Sequence, residues 1–130
     1  MPGARILVAD DEEPVLELEQ EILEGKGHVV HTARDGEDVR RLIQDDKYDL
    51  VILDMNLAGS TPGLQLYEWI RERQPALSQR VVFTTSEALE AEKKKAVEKT
   101  GCPVLGKPFP VAHFLAIVEE RLHQADPAAV

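Results

Sequence analysis

Five short apolar runs alternate with five helical segments along the sequence, and this alternation constrains the fold more than any other feature. The strand-like runs occupy residues 6–9, 28–33, 50–53, 81–84 and 104–105. The helical segments that follow them occupy residues 15–24, 36–44, 64–73, 88–99 and 111–124. Strands that alternate with helices favour a parallel sheet covered by helices on both faces. The pattern therefore predicts a doubly wound α/β domain.

The number of these units and the chain length predict one arrangement of the strands. A chain of 130 residues fits a single domain, which we place at residues 4–124, with residues 125–130 as a tail or the start of a linker. The common solution at this size is the flavodoxin-like (βα)5 fold with strand order 2-1-3-4-5. The first helix is predicted to have a broad apolar face, only part of which must pack against the sheet, and the last helix is predicted to have an apolar inner face. These faces consist of Val15, Leu16, Leu18, Ile22 and Leu23, and of Val111, Phe114, Leu115, Val118 and Leu122.

The charge balance and the single cysteine exclude several classes of partner. The chain has 24 acidic and 15 basic residues and a net charge of −9, which repels nucleic-acid phosphates and anionic membrane surfaces. Cys102 alone cannot form an internal disulfide or a thiolate metal site, and a free thiol fits a reducing cytosol. No apolar run approaches the ~20 residues of a membrane span, and no signal peptide is visible. We therefore expect a cytoplasmic chain without nucleic-acid or membrane contacts.

Polar side chains that can do chemistry follow four of the five predicted strands. Asp10 and Asp11 follow the first strand, Asp54 the third, Thr85 the fourth and Lys107 the fifth. The carboxyl ends of parallel strands meet at one edge of a sheet, where such folds bind ligands. Carboxylates that meet there repel one another unless one is protonated or a cation lies among them. Oxygen ligands without imidazole or thiolate favour Mg²⁺, and an aspartate beside Mg²⁺ with a lysine opposite can accept a phosphoryl group.

Each of these residues also has a purely structural interpretation. Asp10 and Asp11 can cap the first helix, and Asp54 can be a turn residue. Thr85 can be the N-cap of the fourth helix, and Lys107 can be a solvated surface lysine. The combination favours chemistry, because four separate strand ends would otherwise offer matching groups by accident.

The sequence motifs around these residues resemble one family. The motifs are Val8-Ala9-Asp10-Asp11-Glu12, Val51-Ile52-Leu53-Asp54, Val82-Phe83-Thr84-Thr85-Ser86 and Gly106-Lys107-Pro108-Phe109. Together they resemble the receiver domain of two-component response regulators over residues 5–122. The resemblance implies a partner, either a sensor histidine kinase or a histidine phosphotransfer domain, whose phosphohistidine supplies the phosphoryl group. It also implies a monomer or weak dimer that catalyses its own phosphorylation and dephosphorylation and is not a turnover enzyme.

The resemblance also implies a role for each residue at the strand ends. Asp54 accepts the phosphoryl group, Lys107 holds it beside a cis Lys107–Pro108 bond, and Thr85 supplies a switch hydroxyl. The implied Mg²⁺ ligands are Asp10, Asp11, Asp54 and the backbone carbonyl of Asn56.

Three positions depart from the family's usual pattern. Ala58 occupies a position where the family usually has Pro, and Gly63 comes one residue later than usual, so the loop that contains them is longer. Val104 stands where many response regulators have Tyr or Phe, which puts the usual signalling through the fourth helix and fifth strand in doubt. Residues 100–109 look similar to receivers of hybrid sensor kinases. A stand-alone regulator and an excised module of such a kinase both remain open.

Two other functions deserve comparison with the receiver. A haloacid-dehalogenase-like phosphatase also uses Asp, Thr, Lys and Mg²⁺, but its chemistry needs an acid two residues after the nucleophile. Asn56 occupies that position, and Asp54 ends the third predicted strand where such enzymes use the first. A degenerate receiver that acts only as a protein-interaction module would need a defect in the five core positions, all of which are present.

Overall fold

The computed structural model describes residues 3–57, 62–86 and 91–124. Its strands are β1 (Arg5–Ala9), β2 (Val29–Ala33), β3 (Leu50–Asp54), β4 (Val81–Thr85) and β5 (Val104–Gly106). Its helices are α1 (Glu13–Glu24), α2 (Gly36–Asp45), α3 (Gly63–Arg73), α4 (Pro75–Ser78), α5 (Ala91–Thr100) and α6 (Val111–Gln124). The strands are all parallel, in the order β2-β1-β3-β4-β5. The predicted fold class and strand order are confirmed.

Several predicted features fall wholly or partly outside the described residues. They are the first part of the loop at residues 58–63, the start of the helix predicted at residues 88–99, and the tail at residues 125–130. The four-residue helix α4 was not predicted. No described helix has the length and apolar character that a membrane crossing requires.

Alternation along the strands divides the buried side chains into two hydrophobic clusters, one on each face of the sheet. Ile6 and Val8 of β1 belong to the cluster covered by α1 and α6. Leu7 and Ala9 belong to the cluster covered mainly by α2 and α3. Successive strand residues point to opposite faces, and the parallel register keeps paired residues on the same face. This alternation decides which strand-end side chains share a face.

Only part of the broad apolar face predicted for α1 packs against the sheet. Leu16 and Leu23 are buried as predicted, but Leu18 is 51% exposed. Glu19 is instead buried on the face of the helix that packs against the sheet, at 1% exposure. Residues 16, 19 and 23 follow the spacing of three and four that defines one helical face, whereas residue 18 lies to one side of it.

The apolar face predicted for α6 also differs at its first residue. Phe114, Val118 and Leu122 are fully buried, but Val111 at the start of the helix is 48% exposed. Val111 is not part of the cluster that the rest of the helix covers. The helix therefore packs through its central and C-terminal turns.

Candidate functional site

Three aspartates meet at the carboxyl ends of β1 and β3. Ala9 pairs with Leu53, so Asp10 comes beside Asp54 in the adjacent strand. One carboxylate oxygen from each of Asp10, Asp11 and Asp54 lies within 4.8 Å of the others. Asp10 and Asp54 are buried. The structure thus brings together the acidic side chains that the sequence placed after separate strands.

Lys107 supplies the positive charge opposite the aspartates. Its Nζ donates to Asp10 Oδ2 at 2.6 Å and to Asp54 Oδ2 at 3.1 Å, and its side chain is only 10% exposed. Burial disfavours the ammonium, but the hydrogen bonds and charges of the two aspartates outweigh that effect and raise the pKa of Lys107. Lys107 is therefore a charged bridge across the site.

The backbone fixes the place of Lys107 at the end of β5. The backbone N–H of Lys107 donates to the carbonyl of Thr85 at 2.7 Å. The Lys107–Pro108 peptide bond is cis, which confirms the geometry implied by the family resemblance. Thr85 is the last residue of β4 and is buried there. The structure thus places Thr85 on the strand between Asp54 and Lys107, and its role as a switch hydroxyl stays a prediction.

A backbone hydrogen bond and nearby charges act on the Asp54 carboxylate. The backbone N–H of Asn56 donates to Asp54 Oδ1 at 3.0 Å, and the role of the Asn56 carbonyl as a metal ligand stays a prediction. Burial raises the pKa of Asp54, the Asn56 hydrogen bond lowers it, and the charges of Asp10 and Lys107 act in opposite directions. The net effect is a raised pKa, because the removal of water outweighs the stabilising contacts.

The chain after Asp54 returns very close to it. The Gly63 N–H donates to the carbonyl of Met55 at 3.1 Å, and Asn56 and Pro62 form an isolated antiparallel bridge. A Cβ at Gly63 would lie 2.7 Å from the Asp54 carbonyl oxygen, a distance that real Cβ atoms do not tolerate. Glycine at residue 63 therefore allows α3 to begin against the phosphoacceptor candidate.

The donor set of this site fits a hard divalent cation. Asp10, Asp11 and Asp54 each contribute a carboxylate oxygen to this cluster. Mg²⁺ prefers oxygen ligands and is bound by a few carboxylates together with waters and phosphate oxygens. The three oxygens are of the type that Mg²⁺ prefers, and they lie close enough together to be candidate ligands of one ion.

Sequence reasoning missed a fourth acid on the same face of the sheet. Glu19 of α1 is buried, and neither of its carboxylate oxygens has a hydrogen-bond partner. The charges that act on it come from Asp10, Lys107 and Asp54. The available signal was an acidic residue at helical spacing between Leu16 and Leu23, which places it within the buried stripe.

Comparison with known proteins identifies the family. A family model described as the response regulator receiver domain matches residues 6–119. The chain is 30% identical over 123 residues to the transcriptional regulatory protein GltR of Pseudomonas aeruginosa, covering 95% of this chain and 50% of that protein. It is 31% identical over 121 residues to the transcriptional regulatory protein DltR of Streptococcus agalactiae, covering 93% and 53%. The chain belongs to the response regulator receiver domain family of two-component systems, and it spans about half the length of these relatives.

Solved structures agree with this assignment. NtrX from Brucella abortus in complex with ATP superposes with a TM-score of 0.85 at 31% identity, covering 95% of this chain and 28% of that chain. A CheY-like response regulator receiver domain protein from Methanospirillum hungatei superposes with a TM-score of 0.86 at 23% identity, covering 95% and 96%. At that lower identity the second likeness concerns the fold alone.

Proposed function

We propose that this receiver accepts a phosphoryl group on Asp54 in a Mg²⁺-dependent reaction. The donor is a phosphohistidine on a sensor histidine kinase or a histidine phosphotransfer protein. The observation that carries the proposal is the convergence of Asp10, Asp11, Asp54 and Lys107 from three separate strand ends. A purely structural role for these residues would not require them to meet.

The transfer is a displacement at phosphorus. An Oδ of Asp54 forms the new O–P bond as the N–P bond of the donor breaks, and the donor imidazole keeps the bonding electron pair and then takes a proton. Lys107 already contacts Asp54 Oδ2, so its ammonium is placed to neutralise charge on the phosphoryl oxygens. The Asn56 N–H holds the other Asp54 oxygen, Oδ1, and so orients the carboxylate.

Asp10, Asp11, Asp54 and the Asn56 carbonyl are the residues that would hold the metal ion. When bound, Mg²⁺ supplies positive charge for the oxygens of the transferring group. Asp10 also accepts the Glu12 backbone N–H through Oδ1 at 3.0 Å. That contact fixes Asp10 in the turn before α1, with Oδ2 toward Lys107.

The phosphorylated chain is proposed to be a signalling intermediate. It catalyses its own phosphorylation and slow dephosphorylation and is not a turnover enzyme. A cytoplasmic location agrees with the free thiol of Cys102. Monomers or weak dimers, without nucleic-acid or membrane contacts by these residues, agree with the net charge of −9.

We also propose that the module passes its phosphoryl group onward, as receivers of hybrid sensor kinases do. Val104 supports this proposal, because a partly buried valine packed against the core has no aromatic ring to move between two positions. We expect phosphorylation to leave the amide chemical shifts of α5 and β5 nearly unchanged. Large changes in the amide chemical shifts throughout α5 and β5 would contradict the proposal that the module passes its phosphoryl group onward.

Intact mass tests the proposed phosphorylation. The protein is incubated with acetyl phosphate and Mg²⁺, and wild type should gain the mass of one phosphoryl group. Asp54→Asn should gain none, since an amide oxygen is a poor nucleophile, and an excess of EDTA should abolish the gain in wild type. A wild type that never gains this mass, or an Asp54→Asn variant that gains it equally, contradicts the proposal.

A further inference from the structure

Glu19 is a buried acid whose carboxylate makes no hydrogen bond to the described residues. It is 1% exposed, and both carboxylate oxygens lack a hydrogen-bond partner. Its pKa is raised to about 8, mainly by burial and in addition by the charges of Asp10 and Asp54, while the charge of Lys107 lowers it. A buried carboxyl without partners is costly, and a stable core position would be filled at less cost by an apolar residue such as Leu16 or Leu23.

Glu19 lies under the same face of the sheet as the phosphoacceptor site. Ile6, Val8, Leu50 and Ile52 belong to the cluster under α1 and α6. Alternation extends that face to Asp10 and Asp54 at the strand ends. The same face includes Leu105 and, two residues on, Lys107. Glu19 thus shares one layer with the residues whose charges act on it, although none of them hydrogen-bonds to it.

The other buried residues on this side of the sheet are mostly apolar. The inward residues of α6 are Phe114, Val118 and Leu122. His28 is buried just after α1, where its backbone N–H donates to the carbonyl of Leu23. Arg121 of α6 donates to the carbonyl of Gly101. Among the described residues, the groups whose charges act on the Glu19 carboxyl are Asp10, Lys107 and Asp54.

We propose that Glu19 is a positioning residue of this site. It touches neither the ion nor the phosphoryl group, but its protonation state changes the electrostatic potential at Asp10 and Lys107. Through that potential it sets the affinity of the aspartates for Mg²⁺. This inference rests on the proposed Mg²⁺-dependent function. Protonated Glu19 is neutral and adds no charge to the site. Ionised Glu19 adds a buried negative charge whose effect on the aspartates is little screened by water. Binding of a divalent cation therefore favours loss of the Glu19 proton, and by linkage loss of the proton strengthens binding of the cation.

A Mg²⁺ titration at two pH values tests the inference. The amide chemical shifts of Asn56 and Lys107 report the Kd at pH 6.5 and pH 9.0 for wild type, Glu19→Gln, Glu19→Leu and Glu17→Gln. The ratio of the Kd at pH 6.5 to the Kd at pH 9.0 should be about fivefold larger for wild type than for Glu19→Gln. A roughly fivefold effect is at the lower end of the usual range for coupling between two sites. Glu19→Leu should follow Glu19→Gln, so one folded variant of the two suffices. Glu17 is exposed on the same helix, and Glu17→Gln should follow wild type, since a solvated charge is screened.

The outcomes separate this inference from the function on which it rests. Equal gains in affinity for wild type and Glu19→Gln overturn the inference and leave Mg²⁺ binding in place. A gain that is reduced as much in Glu17→Gln as in Glu19→Gln also overturns it, because net charge alone would then explain the effect. A wild type whose amide shifts do not respond to Mg²⁺ at either pH overturns the proposed function and this inference together.

Discussion

Replacement of Glu19 should change how the stability of the fold depends on pH. The folded carboxyl has a pKa of about 8 against 4.5 for the ordinary group. Between these values the folded chain holds a proton that the unfolded chain releases, so the free energy of unfolding falls as the pH rises. Linkage over that shift predicts that wild type loses about 3–4 kcal/mol between pH 5 and pH 8 through this one residue. That loss is a large part of the stability of a small domain.

Urea unfolding followed by circular dichroism at pH 5, 6.5 and 8 measures this effect. Glu19→Gln keeps the shape of the side chain and cannot ionise, so its stability should fall by about 3–4 kcal/mol less than that of wild type over this range. The raised pKa of Asp54 acts in the same direction, but it is present in both proteins and cancels in the difference. Parallel pH profiles for wild type and Glu19→Gln would refute the burial and charge argument for Glu19.

Two further substitutions test how the chain positions its site and its helices. Gly63→Ala should destabilise the fold by about 1–3 kcal/mol in urea unfolding, because the new Cβ meets the Asp54 carbonyl oxygen. Gly106→Ala, where a Cβ meets nothing within 4 Å, is its control, and equal losses would contradict the close approach. Asp35→Ala should cost about 0.5–2 kcal/mol in the same assay, because Asp35 caps α2 by accepting the Asp38 N–H at 2.9 Å. An unchanged midpoint would exclude that cap as a source of stability.

The fold was predictable because the buried strands appear in the sequence as short apolar runs. The run at residues 50–53 is apolar throughout, which is typical of a central strand covered on both faces, and β3 is buried at each position. Asp10, Asp54 and Lys107 could be assigned to one site because parallel strands present their carboxyl ends at the same edge. The strand order and direction therefore predicted both the sheet and the cluster of site residues at its carboxyl edge.

Other features could not be predicted because they depend on side-chain direction or on very short segments. Four residues of α4 (Pro75–Ser78) give no helical periodicity to read. The apolar residues of α1 are compatible with more than one facing direction, and packing against the sheet selects the direction that buries Glu19 and exposes Leu18. The close approach of Gly63 to Asp54 is visible only once the chain has folded.

Chemical mapping of the phosphorylated residue tests the central claim most directly. Borohydride reduces an acyl phosphate to an alcohol, so a phosphorylated aspartate appears as homoserine in a peptide map after treatment with acetyl phosphate and Mg²⁺. The account predicts homoserine at residue 54 alone, in amounts that Lys107→Ala lowers, because Lys107 contacts Asp54 Oδ2 at 3.1 Å. Homoserine at Asp10 or Asp11, or at no aspartate, would contradict it.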